Sequence, residues 1–142
     1  MMLGILVLTH GSLGKEFLDA AFRILGQEDP SVASLCIEWD QDSASAQEKL
    51  RKTLKKLQES HDTVLILTDL FGGTPTNLAM TFYKAGKVEI LTGMNLPMLI
   101  KAILMRKSDT PLLEALAMLR EKGQSAIVSV SEALGQSEGA GE

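Results

Sequence analysis

Two short aliphatic runs, LGILVLT at residues 3–9 and TVLILT at residues 63–68, constrain what this chain can fold into more than any other feature. Each is too short for a helix of its own, and neither alternates apolar with polar residues as a strand with one wet face does. Such runs read as strands buried on both faces, which belong to parallel sheets whose crossovers are helices. The intervening pattern agrees. Residues 13–25 place Phe17, Leu18, Ala21, Phe22 and Leu25 at helical spacing, with Lys15, Glu16 and Asp19 between them. Gly26 and Asp29-Pro30 end that helix, and residues 32–39 read as a second strand. Residues 43–57, rich in Ala, Glu, Lys and Leu, read as a polar-faced helix; 75–85, 96–105 and 111–121 read as further helices, 87–91 as a fourth strand and 125–130 as a last one.

Strands alternating with helices of this length predict an α/β fold: a doubly wound, mainly parallel sheet in the order 2-1-3-4, helices on both faces, and the 125–130 strand at an edge. Residues 1–130 form one expected domain, and 131–142 (SEALGQSEGAGE) an expected flexible acidic tail. A chain of 142 residues can bury a full core without disulfides, which its lone cysteine, Cys36, rules out internally along with any clustered-thiolate metal site. The net charge of -4 gives no electrostatic reason to expect a nucleic-acid partner. No apolar run approaches the roughly 20 residues of a membrane span, and the N-terminus lacks a basic leader. The expectation is a cytoplasmic protein with no membrane insertion, no metal and no cofactor.

In a doubly wound sheet the functional crevice lies beyond the carboxyl ends of the strands, at the switch point between strands one and three. His10, in the stretch LTHGSLG, falls just past the first strand, and Asp69 just past the third. The predicted order brings an imidazole and a carboxylate to neighbouring positions. A carboxylate on one ring nitrogen fixes the tautomer and leaves a lone pair on the other, which makes that nitrogen a nucleophile at neutral pH. The segment DLFGGTPTN, residues 69–77, adds Gly72-Gly73 for close backbone approach, Thr74 as an expected helix N-cap and Pro75 at the first helical position. A helix start presents unpaired N–H groups that suit a phosphoryl group, and Gly11 with Ser12 would do the same before the first helix. The combination predicts phosphoryl transfer through phosphohistidine, with His10 and Asp69 catalytic and Gly11, Ser12, Gly72, Gly73 and Thr74 binding the phosphoryl group.

Plainer readings stand beside this one. A single histidine at a strand end is often only a polar loop residue, and Gly72 to Pro75 reads equally as a tight turn and a cap. His61 precedes the third strand, at the opposite edge, and serves as a control. Cys36 reads as core; Trp39, Asp40 and Asp42 fall at the end of strand two on the crevice side, where Trp39 is an expected rim residue, and their plainer reading is a solvated loop; the methionines, Met94 and Met98 among them, read as packing.

With these residues in view the chain resembles the mannose-type IIA component of the bacterial phosphoenolpyruvate-dependent sugar phosphotransferase system. The resemblance is carried by GILVLTHGSLGKEFL around the histidine, CIEWD at strand two, LILTDLFGGTPTN at strand three and TGMNLPML after strand four, and runs to about Val130. It implies that His10 is transiently phosphorylated, that Asp69 orients it, and that Thr74 with nearby backbone amides holds the phosphoryl group. It also implies a donor, the histidine-containing phosphocarrier protein, and an acceptor, a IIB component carried on another polypeptide, for sugar uptake and phosphorylation. Well-known members are homodimers that exchange the last strand, here 125–130; folding of that strand onto its own sheet fits the sequence equally. Two other functions fit the same residues: a regulatory phosphoprotein of the system without a sugar permease, and a receiver-like domain phosphorylated on Asp69. The latter needs acidic residues after strand one to hold magnesium, where this chain has Thr9-His10. The subunit acting on dihydroxyacetone kinase has a similar fold but a different loop after strand three.

Overall fold

The aliphatic runs become strands because helices shield them from water on both sides: every residue from Leu3 to Thr9, and every residue from Thr63 to Thr68, is buried. The computed structural model describes residues 2–135. In chain order the elements are β1 (Leu3–His10), α1 (Leu13–Leu25), β2 (Val32–Ile37), α2 (Ser43–Gln58), β3 (Thr63–Thr68), α3 (Thr74–Met80), β4 (Val88–Leu91), α4 (Leu96–Met105), α5 (Leu112–Ser125) and α6 (Val130–Ala133). The four strands form one parallel sheet in the order β2-β1-β3-β4, the doubly wound order expected. Leu3 pairs with Thr63 and Leu8 with Thr68, so β1 and β3 end almost level.

Alternation along the two central strands divides the core. Leu3, Ile5, Val7, Leu65 and Leu67 face α1, α4 and α5, where Leu18, Leu99, Ala102 and Leu119 cover them. Leu6, Leu8, Val64 and Ile66 face α2 and α3, against Leu50, Leu54, Leu78 and Ala79. Each fully buried aliphatic side chain here contributes about 2 kcal/mol relative to exposure, so the two sandwiched layers hold β1 and β3 at the centre. Helix entries are fixed locally. The Asp42 carboxylate accepts from the Ser45 N–H at 2.8 Å and starts α2, which makes Asp42 a cap and not merely a loop residue. Asn95 accepts from the Met98 N–H at 3.1 Å and donates to the Gly123 carbonyl at 2.8 Å, joining the start of α4 to the end of α5.

Some boundaries differ from expectation. β2 stops at Ile37, and Glu38 to Gln41 turn away from the sheet, so Trp39 is in a loop. α3 stops at Met80 because the chain must reverse through Gly86, at φ 81°, to form the Lys84–Val88 bridge that leads into β4. The larger correction concerns 125–130, which is not an edge strand. α5 continues past Glu121 through Lys122-Gly123-Gln124 to Ser125, held by the Asn95 bond to Gly123. Only Ile127 to Ser129 remain before α6, too few to reach and pair with a sheet edge. Ile127, Val128 and Val130 are left 81%, 62% and 71% exposed. Of the expected acidic tail, Ser131 to Ala133 complete α6, and 136–142 lie outside the described residues.

At the amino edge of the sheet Arg106, buried at the end of α4, donates to Asp29 at 2.6 Å and to the Leu3 carbonyl at 3.4 Å. Burial pushes the Asp29 carboxyl up, but the Arg106 hydrogen bond, the Ser31 N–H and the charges of Arg106 and Lys107 outweigh it and hold the group below its ordinary value. His61 lies at this same edge, its ring bonded to the Leu57 carbonyl at 2.7 Å and packed beside Gly4. Among the described residues no helix is long and apolar enough to cross a membrane.

Candidate functional site

His10 is the last residue of β1, and Asp69 directly follows β3. Because the two strands are neighbours in level register, the pair meets at the carboxyl edge of the sheet: His10 Nδ1 is 2.9 Å from Asp69 Oδ2. The same Oδ2 accepts the backbone N–H of His10 at 3.1 Å. One oxygen thus holds both the main chain and the ring of the residue. A carboxylate only accepts, so Nδ1 is the protonated nitrogen and Nε2 carries the lone pair. The side chains are 23% exposed for His10 and 10% for Asp69, which leaves the imidazole, not the carboxylate, open to a reactant.

Asp69 Oδ1 is buried and has no hydrogen-bond partner. With Oδ2 committed to His10, neither carboxylate oxygen is presented at the surface as a phosphoryl acceptor. The loop that follows is braced by a buried threonine pair: the Thr76 hydroxyl donates to the Leu70 carbonyl and lies 2.8 Å from the Thr68 hydroxyl, tying the residues on either side of Asp69 to α3. Thr68 and Thr76 are fully buried. The sequence reading passed over this pair, although two threonines flanking a glycine-rich turn are the signal for such a brace.

The glycines divide in what they do. A Cβ on Gly73 would stand 2.6 Å from His10 Cε1 and 3.0 Å from Nε2, so the backbone touches the edge of the ring only because Gly73 has no side chain. A Cβ on Gly11, at φ 52°, would come 3.0 Å from the indole nitrogen of Trp39. Gly72 takes φ 94° in an open turn with free space around it. The expected cap at Thr74 is displaced by one residue: Gly73 is the N-cap of α3, Thr74 is its first residue, and Pro75 its second. Gly73 fills the cap position because its extended backbone, φ -87° and ψ 169°, can pass close to the ring. Ser12 caps α1 by position without a side-chain hydrogen bond; that role is taken from inside by the buried Thr9 hydroxyl, which accepts from the Gly14 N–H at 2.6 Å. Ser12 and Thr74 are both exposed at the crevice mouth.

Trp39, expected on the crevice side, reaches the histidine itself. Its ring stacks on the His10 imidazole with centroids 5.3 Å apart and planes inclined by 23°, while 81% of the residue stays exposed. An aromatic at the carboxyl end of a strand adjacent to the histidine strand was the available signal. Leu70 and Phe71, in the loop after β3, are 56% and 72% exposed.

Comparison with known proteins identifies the family. Residues 4–120 match the family described as "EIIA-man: PTS system fructose IIA component". The fructose-specific EIIA component of the PTS of Bacillus subtilis is 30% identical over 107 residues, which cover 75% of this chain and 72% of that protein. The mannose-specific EIIAB component of Escherichia coli is 28% identical over 89% of this chain, which spans only 39% of that longer protein. Among solved structures, a PTS IIA protein associated with the fucose utilization operon of Streptococcus pneumoniae superposes with a TM-score of 0.83 at 28% identity, covering 94% of this chain and 97% of its own. The mannose/sorbose specific IIA subunit of Enterococcus faecalis does so with a TM-score of 0.76 at 30% identity, over 91% and 95%. The fold, its strand order and the match over nearly the whole domain lead to one conclusion: the chain belongs to the mannose-type IIA family of the sugar phosphotransferase system.

Proposed function

We propose that this chain is a phosphohistidine relay of sugar uptake: His10 accepts a phosphoryl group from the histidine-containing phosphocarrier protein and passes it to a IIB component. The observation that carries the reading is the 2.9 Å contact between His10 Nδ1 and Asp69, which leaves Nε2 as the nucleophile on the open side of the ring. In the forward step the Nε2 lone pair forms the bond to phosphorus, and the donor's P–N bond breaks with its electron pair returning to the donor nitrogen. The reverse of that step, against an acceptor nucleophile, discharges the group. Phosphoryl transfer is mostly positioning and stabilisation of the equatorial oxygens. Asp69 positions the ring, and backbone amides of Ser12, Gly72, Gly73 and Thr74 receive the oxygens; the Gly11 N–H donates to the Ile37 carbonyl at 2.8 Å, so Gly11 serves by its small size rather than by its amide. No cofactor enters this scheme, and it operates in the cytoplasm, where both partner proteins work.

The proposal extends to a homodimer. The exposed apolar segment of Ile127, Val128 and Val130 lacks cover among the described residues, and packing of that segment against a second copy supplies it.

The test is intact-mass analysis of the protein and its His10→Ala variant after incubation with phosphoenolpyruvate, the first enzyme of the system and the phosphocarrier. The expected result is one phosphate on the unaltered chain alone, lost in acid and kept in base, and then discharged to a IIB component. An alkali-labile phosphate that survives His10 removal would move the site to Asp69. Stable uptake without discharge to any IIB component would make the protein a regulator.

A further inference from the structure

Trp39 has no part in the relay scheme above, yet it covers one face of the ring that reacts. Its indole and the His10 imidazole are offset-stacked at 5.3 Å, inside the range in which a ring face stabilises a cation. Room for this is built in from the other side: at Gly11 any side chain would start 3.0 Å from the indole nitrogen. The contact is not a by-product of core packing, because Trp39 is 81% exposed and would otherwise be free to turn into solvent.

Resting on the relay reading, we propose that Trp39 is a positioning residue that stabilises the phosphorylated form of His10 through a cation–π contact. When Nε2 bonds to phosphorus, the proton on Nδ1 stays in its hydrogen bond to Asp69, so the ring goes from neutral to formally cationic without any proton leaving. The charge is paired on its edge by Asp69 and on its face by the indole. In the loose transition state for loss of the phosphoryl group the P–N electron pair returns to Nε2 and the ring charge fades. A contact that favours the charged ring therefore favours the phosphorylated state and slows its spontaneous hydrolysis.

The experiment compares the unaltered protein with Trp39→Leu and Trp39→Phe. Leu keeps an apolar side chain there without a π face, and Phe restores the face. Each is phosphorylated with the phosphocarrier, purified away from it, and followed by intact mass as it hydrolyses; the phosphocarrier transfer equilibrium is measured separately. Trp39→Leu is expected to lose phosphate about two- to fivefold faster and to shift the equilibrium against phosphorylation by a similar factor, the size of an exposed cation–π contact, with Phe restoring part of both. Because hydrolysis is followed without a partner protein, a pure docking role for Trp39 would leave it unchanged. As the only tryptophan of the chain, Trp39 should also change its emission on phosphorylation, and not in His10→Ala. If Trp39→Leu hydrolyses and equilibrates as the unaltered protein does, or if Leu and Phe behave alike, this inference is wrong and the relay stands. If the unaltered protein takes up no phosphate, both fall.

Discussion

Replacing Gly73 by Ala is the sharpest way to ask whether the backbone of the β3–α3 loop sets the position of the reactive ring. The backbone itself does not object: φ -87° and ψ 169° are ordinary for alanine, so no conformational strain enters. What changes is one methyl group, placed 2.6 Å from Cε1 and 3.0 Å from Nε2 of His10 where ordinary contact begins at 3.4 Å. To restore contact the ring must retreat by roughly 0.8 Å, and the 2.9 Å bond from Nδ1 to Asp69 then stretches or bends out of useful geometry. A hydrogen bond to a charged group is worth about 1.5–3 kcal/mol, and a misplacement near 1 Å at a reacting atom lowers rates by about a hundredfold. The expected outcome is a fall of about 30- to 300-fold in phosphoryl transfer from the phosphocarrier, by the same reasoning. Melting temperatures in two backgrounds separate this clash from the ordinary cost of alanine at a helix N-cap, about 0.5–1 kcal/mol. In His10→Ala the methyl has nothing to strike, so Gly73→Ala should cost only the cap term there and more than that in the unaltered protein. Equal losses in the two backgrounds, or transfer at the original rate, would refute the reasoning.

Three further outcomes follow from other parts of the molecule. Asp69→Asn keeps the size of the side chain but can offer an N–H where the ring needs an acceptor; transfer measured by rapid quench should slow by about a hundredfold, with the circular dichroism spectrum unchanged. Asp29→Asn leaves the buried Arg106 guanidinium without its counter-charge and should cost about 1–3 kcal/mol in urea unfolding at pH 7. Because Asp29 is held below its ordinary 3.8, the pair's contribution is full above that pH and is lost as the pH falls through the depressed value. The stability gap between variant and unaltered protein should therefore close below pH 3.8 and stay constant above about pH 5. Ile127→Glu with Val130→Glu places charge on the exposed C-terminal apolar segment; sedimentation should show a dimer become a 15.3 kDa monomer, and a chain that is already monomeric would refute the homodimer.

Much of the fold was legible because the strands that matter are buried on both faces and carry an unbroken aliphatic signal. LGILVLT and TVLILT carry no polar residue but threonine, itself a strand former, and α4 matches its expected bounds because Asn95 and Pro97 mark its start. The His10–Asp69 pairing was reachable from strand order alone, since both residues end adjacent parallel strands. Residues 125–130 misled for a physical reason: β-branched residues in IVSV favour a strand, but a strand exists only where an edge is within reach, and reach depends on where α5 stops. That stop is set by the bond from Asn95 to Gly123, between residues 28 positions apart, which no local pattern encodes. The stacking of Trp39 on His10 was hidden in the same way, although the strand order already placed the residue on the crevice side. Its composition fits a solvated loop, and only the turn at Glu38 to Gln41 folds it back over the histidine.

The double use of Asp69 Oδ2 ties competence to complete folding. His10 and Asp69 are 59 residues apart, and the oxygen reaches both the amide and the ring only when β1 and β3 are zipped to their last residues. A parallel pair cannot close through a short hairpin; its pairing awaits the crossover between them, which here runs through α1, β2 and α2. A chain with its helices formed but its central strands one residue out of step would look folded to circular dichroism and carry its histidine intact, yet point the carboxylate to the opposite face of the sheet. Uptake of phosphate by His10 would then count correctly registered molecules, and serve as a quality control on the sheet itself.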